Sequence, residues 1–322
     1  MIAPEGSVCR GRLLATPLPR GRFDASARRR VERWHRAAIA RAIRDHAIDL
    51  VHLLGLDFDG YLPDPGPPVL VTLHLPPVLY GSSVLRVDRP ATFLHGLSVG
   101  EASLFPDDAS LLPAIPAGIA LDRFRFGARK HRFALSIGRV CPEKGHHLAL
   151  SAAARAGVPL LIAGRVSPFA VHERYFREAI APRLDRDRRF LGPIAGVRKR
   201  RLLAGARCVI VPSAMPETRS LVAMEALASG TPVVAFRRGA LPDIVEHGVT
   251  GFLVDDVEEM ADAILAAETL DPLACRRAAE ERFSAERMTH AFFDAYAGIV
   301  GASRCASQIA RDIDSRGRPA DV

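Results

Sequence analysis

The chain has 322 residues, of which 48% are hydrophobic and 25% are charged, a balance typical of globular proteins and too apolar for general disorder. This length predicts about two domains of roughly 150 residues each. The net charge of +8 permits anionic partners, but the arginine runs lack interleaved aromatic residues, which argues against a single-stranded nucleic-acid platform. No apolar run reaches the ~20 residues of a membrane span, and we expect no signal peptide.

The cysteines and the arginine runs bear on compartment and partners. The five cysteines are scattered without a CxxC pair, which predicts reduced thiols in a cytoplasmic protein, without disulfides or a zinc site. The basic runs at 28–30, 198–201 and 276–277 are interpreted first as solvated helix faces. A peripheral contact with an anionic membrane stays open as the alternative.

The first part of the chain predicts short strands around one long helix. Apolar residues recur at three- and four-residue spacing across 25–46, which predicts that helix. The predicted strands are, in chain order, 1–4, 12–16, 48–54 and 69–73, with 91–94 and Ile115 as weaker candidates. The segment 117–130 has loop character and predicts the connection between two domains.

After Lys130 strands and helices alternate regularly. The strands are predicted at 133–137, 159–163, 189–191, 208–211, 233–235 and 251–254, and the helices at 145–156, 171–181, 196–203, 220–228, 241–246 and 257–267. This alternation is typical of a doubly wound parallel sheet. Further helices are expected at 272–282 and 285–300, followed by a polar, frayed tail from Ser303.

A strand followed by Gly-Arg and Lys-Gly suggests a diphosphate site. Gly138, Arg139 and Lys144 lie between the strand 133–137 and a helix start. A guanidinium, an ammonium and the N–H groups of a helix end can together neutralise a diphosphate. A turn with two exposed cations is the equally weighted alternative.

Two carboxylates, Glu217 and Glu225, are separated by seven residues across a loop and a helix start. They are interpreted as contacts to different parts of one ligand rather than as an acid/base pair. Solvated helix glutamates are the alternative, although Glu225 has apolar neighbours on both sides. The helix start between them, Ser220, Leu221 and Val222, could offer N–H groups to phosphate oxygens.

Taken together, these motifs resemble the donor half of family 4 glycosyltransferases. The motif E-K-G covers 143–145. The motif E-x7-E covers 217–225 and is followed directly by A-L-A-S-G-T-P-V-V-A at 226–235. The segments 239–245 and 248–254 complete the pattern. The resemblance covers 133–267. It implies an α/β GT-B fold, with two Rossmann-like domains facing across a cleft, and retaining, metal-independent transfer from a nucleotide sugar.

The resemblance also implies a role for each matching residue. Arg139 and Lys144 would bind the diphosphate, Glu225 the ribose and Glu217 the donor sugar. Gly138 and Gly164 would line the nucleotide crevice, and backbone groups at Gly192 and Ile194 would hold the base. One departure concerns the usual Gly-Phe-Gly, which here reads Thr218-Arg219-Ser220 and bears on the choice of donor.

The histidines of the chain differ in their expected roles. His74, at the end of the strand 69–73, is similar to the acceptor-domain histidine of the family, and its neutral ring could hydrogen-bond a sugar hydroxyl. A structural role is the alternative for such a lone histidine. His52 is expected to pack on its strand, whereas His95, His146 and His147 are expected at the surface or in loops.

Members of the family carry a strand, a glycine-rich loop and a helix ahead of the part matched here. We therefore expect an N-terminal domain that lacks its first βα unit, with an exposed sheet edge and exposed apolar surface. A late start codon is the favoured explanation, and a truncated paralogue or a covering partner are the alternatives.

The expected organisation is an incomplete acceptor-side domain over 1–127, a donor domain over 128–290, and a C-terminal helix with its tail over 291–322. The expected function is retaining transfer of a hexose from a nucleotide sugar, with a UDP-sugar favoured, to a small-molecule, lipid or glycan acceptor. No cofactor, metal or nucleic acid is expected. Nucleotide-sugar binding with little or no turnover is the alternative, and epimerisation on the same fold is the third hypothesis.

Overall fold

The computed structural model describes residues 1–18, 24–98, 100, 105 and 111–316, with side chains described up to 305 except at 82 and 83. It divides into two compact units. The first contains Met1–Gly96 and the chain from Phe292 onward, and the second contains Leu97, Ser98 and Ala114–Ala291.

The first unit has two parallel sheets. Strands β1 (Ile2–Pro4) and β2 (Leu14–Thr16) pair with each other. The helix α1 (Ala25–Asp45) follows, and the side chain of Asp24 caps its first turn by accepting from Ala27 N at 2.9 Å. The second sheet has the order β3-β4-β5-β6 and consists of β3 (Val51–Leu53), β4 (Val69–Thr72), β5 (Thr92–His95) and β6 (Leu111–Leu112), with the short helix α2 (Ser82–Leu85) between β4 and β5.

An apolar cavity of about 770 Å³ lies between the β1-β2 sheet, α1 and β3. Ile2 and Leu14 line it from the small sheet, Ile39 and Ile43 from the helix, and Val51 from the edge strand β3.

Two histidines of the first unit share one hydroxyl. His52 Nε2 lies 2.6 Å from Thr72 Oγ1, and His95 Nε2 lies 2.7 Å from the same oxygen. His52 Nδ1 also contacts the Tyr296 hydroxyl at 2.7 Å. The prediction that His95 is a surface or loop residue is wrong, because this side chain ends β5, is fully buried and packs against the ring of Phe292.

The second unit is one six-stranded parallel sheet with helices on both faces. Its strands are β7 (Ala134–Ile137), β8 (Leu160–Ala163), β9 (Arg188–Phe190), β10 (Cys208–Val211), β11 (Val233–Phe236) and β12 (Gly251–Val254), in the order β12-β11-β10-β7-β8-β9. Each begins and ends within one residue of its predicted bounds, so the doubly wound sheet is confirmed.

Helices cover the two faces of this sheet and enclose two apolar cores. On one face α3 (His146–Ala156) packs against α8 (Val257–Ala266), and on the other α6 (Leu221–Ala228) packs against α9 (Pro272–Arg282). Side chains cap two of these helices: Asp256 accepts from the N–H groups of Glu258 and Glu259, and Asp271 precedes the proline that opens α9. The remaining helices are α4 (Ala170–Tyr175), α5 (Gly196–Gly205) and α7 (Leu241–Ile244).

Some predicted bounds are corrected. The helix predicted over 171–181 is α-helical only to Tyr175 and continues as a π-type turn over Phe176–Ile180. The tail predicted to fray from Ser303 is part of α10 (Ala285–Arg316) as far as Arg316, because alanine, arginine and glutamine in this stretch favour a helix over a turn. Residues 317–322 of that tail lie outside the described residues. Ile115 lies outside the strands. No helix in the described part of the chain has the length and apolar character needed to cross a bilayer.

Candidate donor-binding site

Seven of the predicted site residues meet at the carboxyl ends of β7 and β10. These two strands are neighbours in the sheet, with Cys208 paired to Ala134, and the strand order reverses between them. Open parallel sheets bind ligands at such a reversal. A pocket of about 420 Å³ opens there and is lined, among others, by Gly138, Arg139, Lys144, Glu217, Ser220, Leu221 and Val222.

The turn after β7 requires a glycine. Gly145 has a φ of 64°, in the left-handed region, and a Cβ at this position would lie 2.0 Å from the Pro212 carbonyl oxygen. The same turn is tied to the loop after β10 by a hydrogen bond from Ala214 N to the Glu143 carbonyl at 2.9 Å. The close approach of the two loops brings Lys144 to the pocket.

Lys144 and Glu217 form an ion pair across the two loops. Lys144 Nζ lies 2.5 Å from Glu217 Oε1, with 29% of the lysine side chain and 10% of the glutamate side chain exposed. The Ser213 hydroxyl donates to the same carboxylate oxygen. Sequence reasoning assigned the two residues to different parts of a ligand and missed both their pairing and Ser213.

The backbone of Glu217 is held from the next loop. Ala240 N donates to the Glu217 carbonyl at 2.7 Å. Gly239 permits this contact, because its φ of 56° is left-handed and a Cβ would lie 2.4 Å from the Glu217 carbonyl oxygen. The carboxylate therefore projects from a loop whose position is fixed on both sides.

His146 supports the pocket from below. It is 1% exposed, and its ring contacts Ser136 Oγ at 2.9 Å through Nδ1 and the Arg139 carbonyl at 3.2 Å through Nε2. Because a carbonyl oxygen only accepts hydrogen bonds, the neutral His146 ring carries its proton on Nε2. Its Nδ1 then accepts from the Ser136 hydroxyl. Burial lowers the pKa of His146 to about 4, so the ring is neutral at pH 7. The prediction that His146 is a surface or loop residue is wrong, because it begins α3 beneath the turn.

The start of α6 completes the pocket wall. Ser220 is the N-cap residue, and its side chain makes no capping hydrogen bond. The first N–H groups of a helix have no partner within the helix and carry partial positive charge. Leu221 and Val222, which follow the cap, line the pocket, so these N–H groups lie where an anion would bind.

The charges of the pocket favour an anionic ligand. Three cationic side chains line it, those of Arg139, Lys144 and Arg219, against the one carboxylate of Glu217. Three positive charges and one negative charge leave a net positive lining. A bound phosphate requires cationic side chains that converge with backbone N–H donors.

Glu225 lies outside the pocket lining and is paired. Its Oε2 lies 2.5 Å from Lys199 Nζ, and both side chains are largely covered, with exposures of 13% and 25%. The interpretation of the basic run 198–201 as a solvated helix face is therefore wrong for Lys199, because this side chain turns toward the carboxylate. The ribose role of Glu225 stays a prediction.

Gly164, Gly192 and Ile194 lie on the β8–β9 side and do not line the pocket either. Gly164 N donates to the Gly192 carbonyl at 3.0 Å. A Cβ on Gly164 would lie 1.7 Å from the Gly138 carbonyl oxygen, so the backbone there packs directly beneath the pocket. Their roles in base and nucleotide binding stay predictions.

His74 belongs to the first unit and follows β4 by two residues. Its backbone N–H donates to the Tyr80 hydroxyl at 3.1 Å, and Leu75 N donates to the same oxygen at 3.3 Å. Tyr80 thereby fixes the turn after the strand. The position of His74 near a strand end agrees with the prediction, whereas its role toward a sugar stays a prediction.

One group of potential metal ligands is found among the described residues. Cys141, Glu143 and His172 place one ligand atom each within 4.8 Å of one another. None of the three lines the pocket. The expectation that no metal takes part stays a prediction.

Comparison with known proteins identifies the second unit. Residues 131–268 match the family described as Glycosyl transferases group 1. D-inositol 3-phosphate glycosyltransferases of Mycobacterium bovis and Mycobacterium tuberculosis are 32% identical over 245 residues, which covers 67% of this chain and 51% of each relative. The chain thus spans about half the length of the curated relatives it matches.

Solved structures share the fold at low identity. Sucrose-phosphate synthase from Thermosynechococcus elongatus superposes with a TM-score of 0.71 at 20% identity, over 88% of this chain and 82% of that protein. AviGT4, a glycosyltransferase of avilamycin A biosynthesis, gives 0.64 at 24% identity over 83% and 78%, and Anabaena HepE in complex with UDP-glucose gives 0.67 at 20% identity over 81% and 82%. Residues 131–268 therefore form a domain of the family described as Glycosyl transferases group 1, and the chain has a GT-B fold.

Proposed function

We propose that this chain is a retaining glycosyltransferase of family 4 that moves a hexose from a nucleoside-diphosphate sugar, with UDP-sugars favoured, to an acceptor hydroxyl. The observation that carries the proposal is the pocket at β7 and β10, where three cations, a carboxylate and a helix start converge. The relatives named as glycosyltransferases and the HepE structure with UDP-glucose support it.

Donor binding follows from the charges of the pocket. Arg139 and Lys144 bind the diphosphate oxygens, together with the N–H groups at the start of α6. Glu217 accepts hydrogen bonds from hydroxyls of the sugar. Lys144 already contacts Glu217, so a bound donor has to draw the ammonium toward its phosphates while the carboxylate turns to the sugar.

The nucleoside end uses residues beside the pocket. Glu225 holds the ribose hydroxyls once its pairing with Lys199 is exchanged for them. The backbone at Gly164, Gly192 and Ile194 borders the base. A nucleoside in this position continues from the diphosphate along the carboxyl ends of β7 and β8.

The transfer step is a front-face substitution. The bond between the anomeric carbon and the leaving phosphate oxygen breaks, and the acceptor oxygen bonds to the same face of that carbon. The acceptor hydroxyl gives its proton to an oxygen of the leaving diphosphate, whose negative charge Arg139 and Lys144 stabilise. The neutral ring of His74 hydrogen-bonds a hydroxyl of the sugar or the acceptor. The transfer step needs neither a metal nor a cofactor.

The acceptor, a small molecule, lipid or glycan, and a cytoplasmic location belong to the same proposal. All five cysteines are free thiols, which agrees with a reducing compartment. Nucleotide-sugar binding with little or no turnover is the second candidate function. The observation that favours it is Arg219, a large side chain in the wall of the donor pocket.

Turnover of UDP-glucose, followed by proton NMR, tests the proposal. We expect release of UDP with glucose transferred or hydrolysed in the α configuration of the donor. Arg155→Ala, an exposed arginine of α3 that pairs with Glu258, is the control and should keep wild-type turnover. A β-configured product contradicts retention, and calorimetric binding of UDP-glucose without any turnover favours the second candidate.

A further inference from the structure

A second pocket lies beside the donor pocket in the same unit. Its volume is about 450 Å³, and Arg219 lines both cavities. Met224 and Phe283 give it an apolar wall, so it suits a ligand with an organic body. The shared arginine places any ligand of this second pocket next to a bound donor.

The second pocket is rich in arginine. Arg219, Arg282 and Arg287 line it, against the single carboxylate of Asp243. None of these arginines takes part in the ion pairs found between described residues. Asp243 Oδ2 instead accepts from Gly100 N at 3.1 Å. Three guanidinium groups without a carboxylate partner leave the pocket positively charged.

Arg282 is held in place by neutral groups. Its guanidinium donates to the carbonyl oxygens of Asp243 and Ile244, and its central carbon lies 4.8 Å above the centre of the Phe283 ring. A guanidinium has five N–H donors in a planar fork, so several remain for a ligand. Because the carbonyls fix its orientation, Arg282 loses little freedom when an anion binds.

We propose that this second pocket binds a sugar acceptor that carries a phosphate or carboxylate group, with Arg282 and Arg287 as its anion-binding residues. The inference rests on the proposed function, because it takes the neighbouring pocket to hold the donor. The donor diphosphate already has Arg139 and Lys144, so the three arginines here serve a second anionic group. The apolar wall at Met224 and Phe283 contacts the body of the acceptor.

Calorimetry on the protein saturated with UDP tests the assignment. The probes are glucose 6-phosphate and glycerol 3-phosphate, each compared with its neutral parent. We expect the phosphorylated probes to bind and Arg287→Gln to weaken them at least about tenfold, since hydrogen bonds to charged groups are strong. Arg287 is exposed, so the variant should fold. Arg277→Gln on α9, whose arginine pairs with Asp271 outside the pocket, is the matched control and should bind like wild type.

The outcomes separate this inference from the proposed function. Failure of both phosphorylated probes to bind in the millimolar range, or equal binding to wild type and Arg287→Gln while UDP still binds, overturns the inference alone. Failure of UDP itself to bind overturns the proposed function. If Arg287→Gln weakens UDP-glucuronate but not UDP-glucose, the anionic group belongs to the donor sugar, which also overturns the acceptor assignment.

Discussion

Lys144 Nζ lies 2.5 Å from Glu217 Oε1, although 73 positions separate the two residues in the chain. The pairing exists because β7 and β10 are adjacent in the sheet and their loops are tied together. The ion pair neutralises the charges of both side chains and places both of them in the wall of one pocket. To bind a donor, Lys144 has to exchange Glu217 for phosphate oxygens, and Glu217 has to exchange Lys144 for sugar hydroxyls.

Glu217→Gln should separate sugar recognition from nucleotide recognition. We expect donor turnover to fall about 100-fold or more, since removal of one preorganised charge at a reacting centre has effects of this size. Affinity for UDP, which lacks the sugar, should stay near that of wild type. Turnover assays with UDP-glucose and calorimetry with UDP measure the two effects. Glu258→Gln, an exposed glutamate of α8, is the control, and an equal loss in both variants would contradict the role.

Gly145→Ala should cost more stability than Gly157→Ala. Both glycines have left-handed φ values, 64° and 62°, so both variants bear a backbone cost of about 1–2 kcal/mol. Only at Gly145 does the added Cβ meet backbone, the Pro212 carbonyl, whereas Gly157 has nothing within 4 Å. We expect the clash to add at least about 1 kcal/mol to the loss in free energy of unfolding. Urea denaturation measures both, and equal losses would mean that the two loops separate freely.

Neutral His146 should make the protein less stable in acid. The pKa of this imidazole is about 4 in the folded state against 6.5 unfolded, mainly because of burial. Between these values the unfolded state binds more protons, so stability is fully present above pH 6.5 and is lost as the pH falls toward 4. His52 has the same shift and contributes a similar slope.

The variant His146→Gln isolates this contribution. It should reduce the slope of unfolding free energy against pH in that window by up to about 1.4 kcal/mol per pH unit, the value for one proton. Denaturation of wild type and variant at several pH values measures it. Identical slopes would show that the His146 ring is protonated in the folded state or reached by water.

Lys130 should impose a second window of the same sign at alkaline pH. Burial lowers the pKa of its amine from 10.5 to about 8, and its Nζ donates to Thr231 Oγ1 and the Ala204 carbonyl at 2.7 and 2.9 Å. Above pH 8 the unfolded state retains the proton that the folded state loses, so stability rises with pH. Burial raises the pKa of Cys208 and Cys275 from 9 to about 12, which reverses the trend above pH 9.

The window from pH 8 to 9 therefore reports on Lys130. Lys130→Met should abolish the rise there, and Lys199→Met, which removes a lysine paired with a carboxylate, should leave it unchanged. Chemical denaturation across this window measures the effect. A rise that persists in Lys130→Met would assign it to another group.

Glu225→Gln should erase discrimination between riboses. If Glu225 holds both hydroxyls, wild type should bind UDP at least about tenfold more tightly than 2′,3′-dideoxy-UDP, because two charge-assisted hydrogen bonds are lost. The variant should bind the two nucleotides almost equally. Competition calorimetry measures the four affinities. Unchanged discrimination in Glu225→Gln would leave the ribose to other groups and Glu225 as a structural partner of Lys199.

The strands of the second unit were predictable because their chemistry is local. Runs such as Cys208–Val211 and Val233–Phe236 are short, apolar and bounded by glycine or proline, which leaves little choice of structure. The helix starts at Asp256 and Asp271 likewise carry their own capping residues. These features depend on neighbours in the chain and not on the fold.

What the sequence did not reveal depends on tertiary neighbours. The pairing of Lys144 with Glu217, and of Lys199 with Glu225, follows from which strands and helices become adjacent, and residue spacing does not encode that. His146 was misplaced because it begins a helix that packs onto the sheet, where a polar residue would be expected to face solvent. The hydroxyl of Ser136 and the Arg139 carbonyl satisfy its ring there.

Titration of UDP into the protein tests the donor pocket most directly. We predict binding by the wild type and by the control Arg155→Ala, and a loss of at least about 100-fold in the double variant Arg139→Ala, Lys144→Ala, because each removed cation contributes a charge-assisted hydrogen bond to the diphosphate. Denaturation curves of the double variant establish that it is folded. Equal UDP affinity in the folded double variant and the wild type would contradict the assignment of this pocket to the donor.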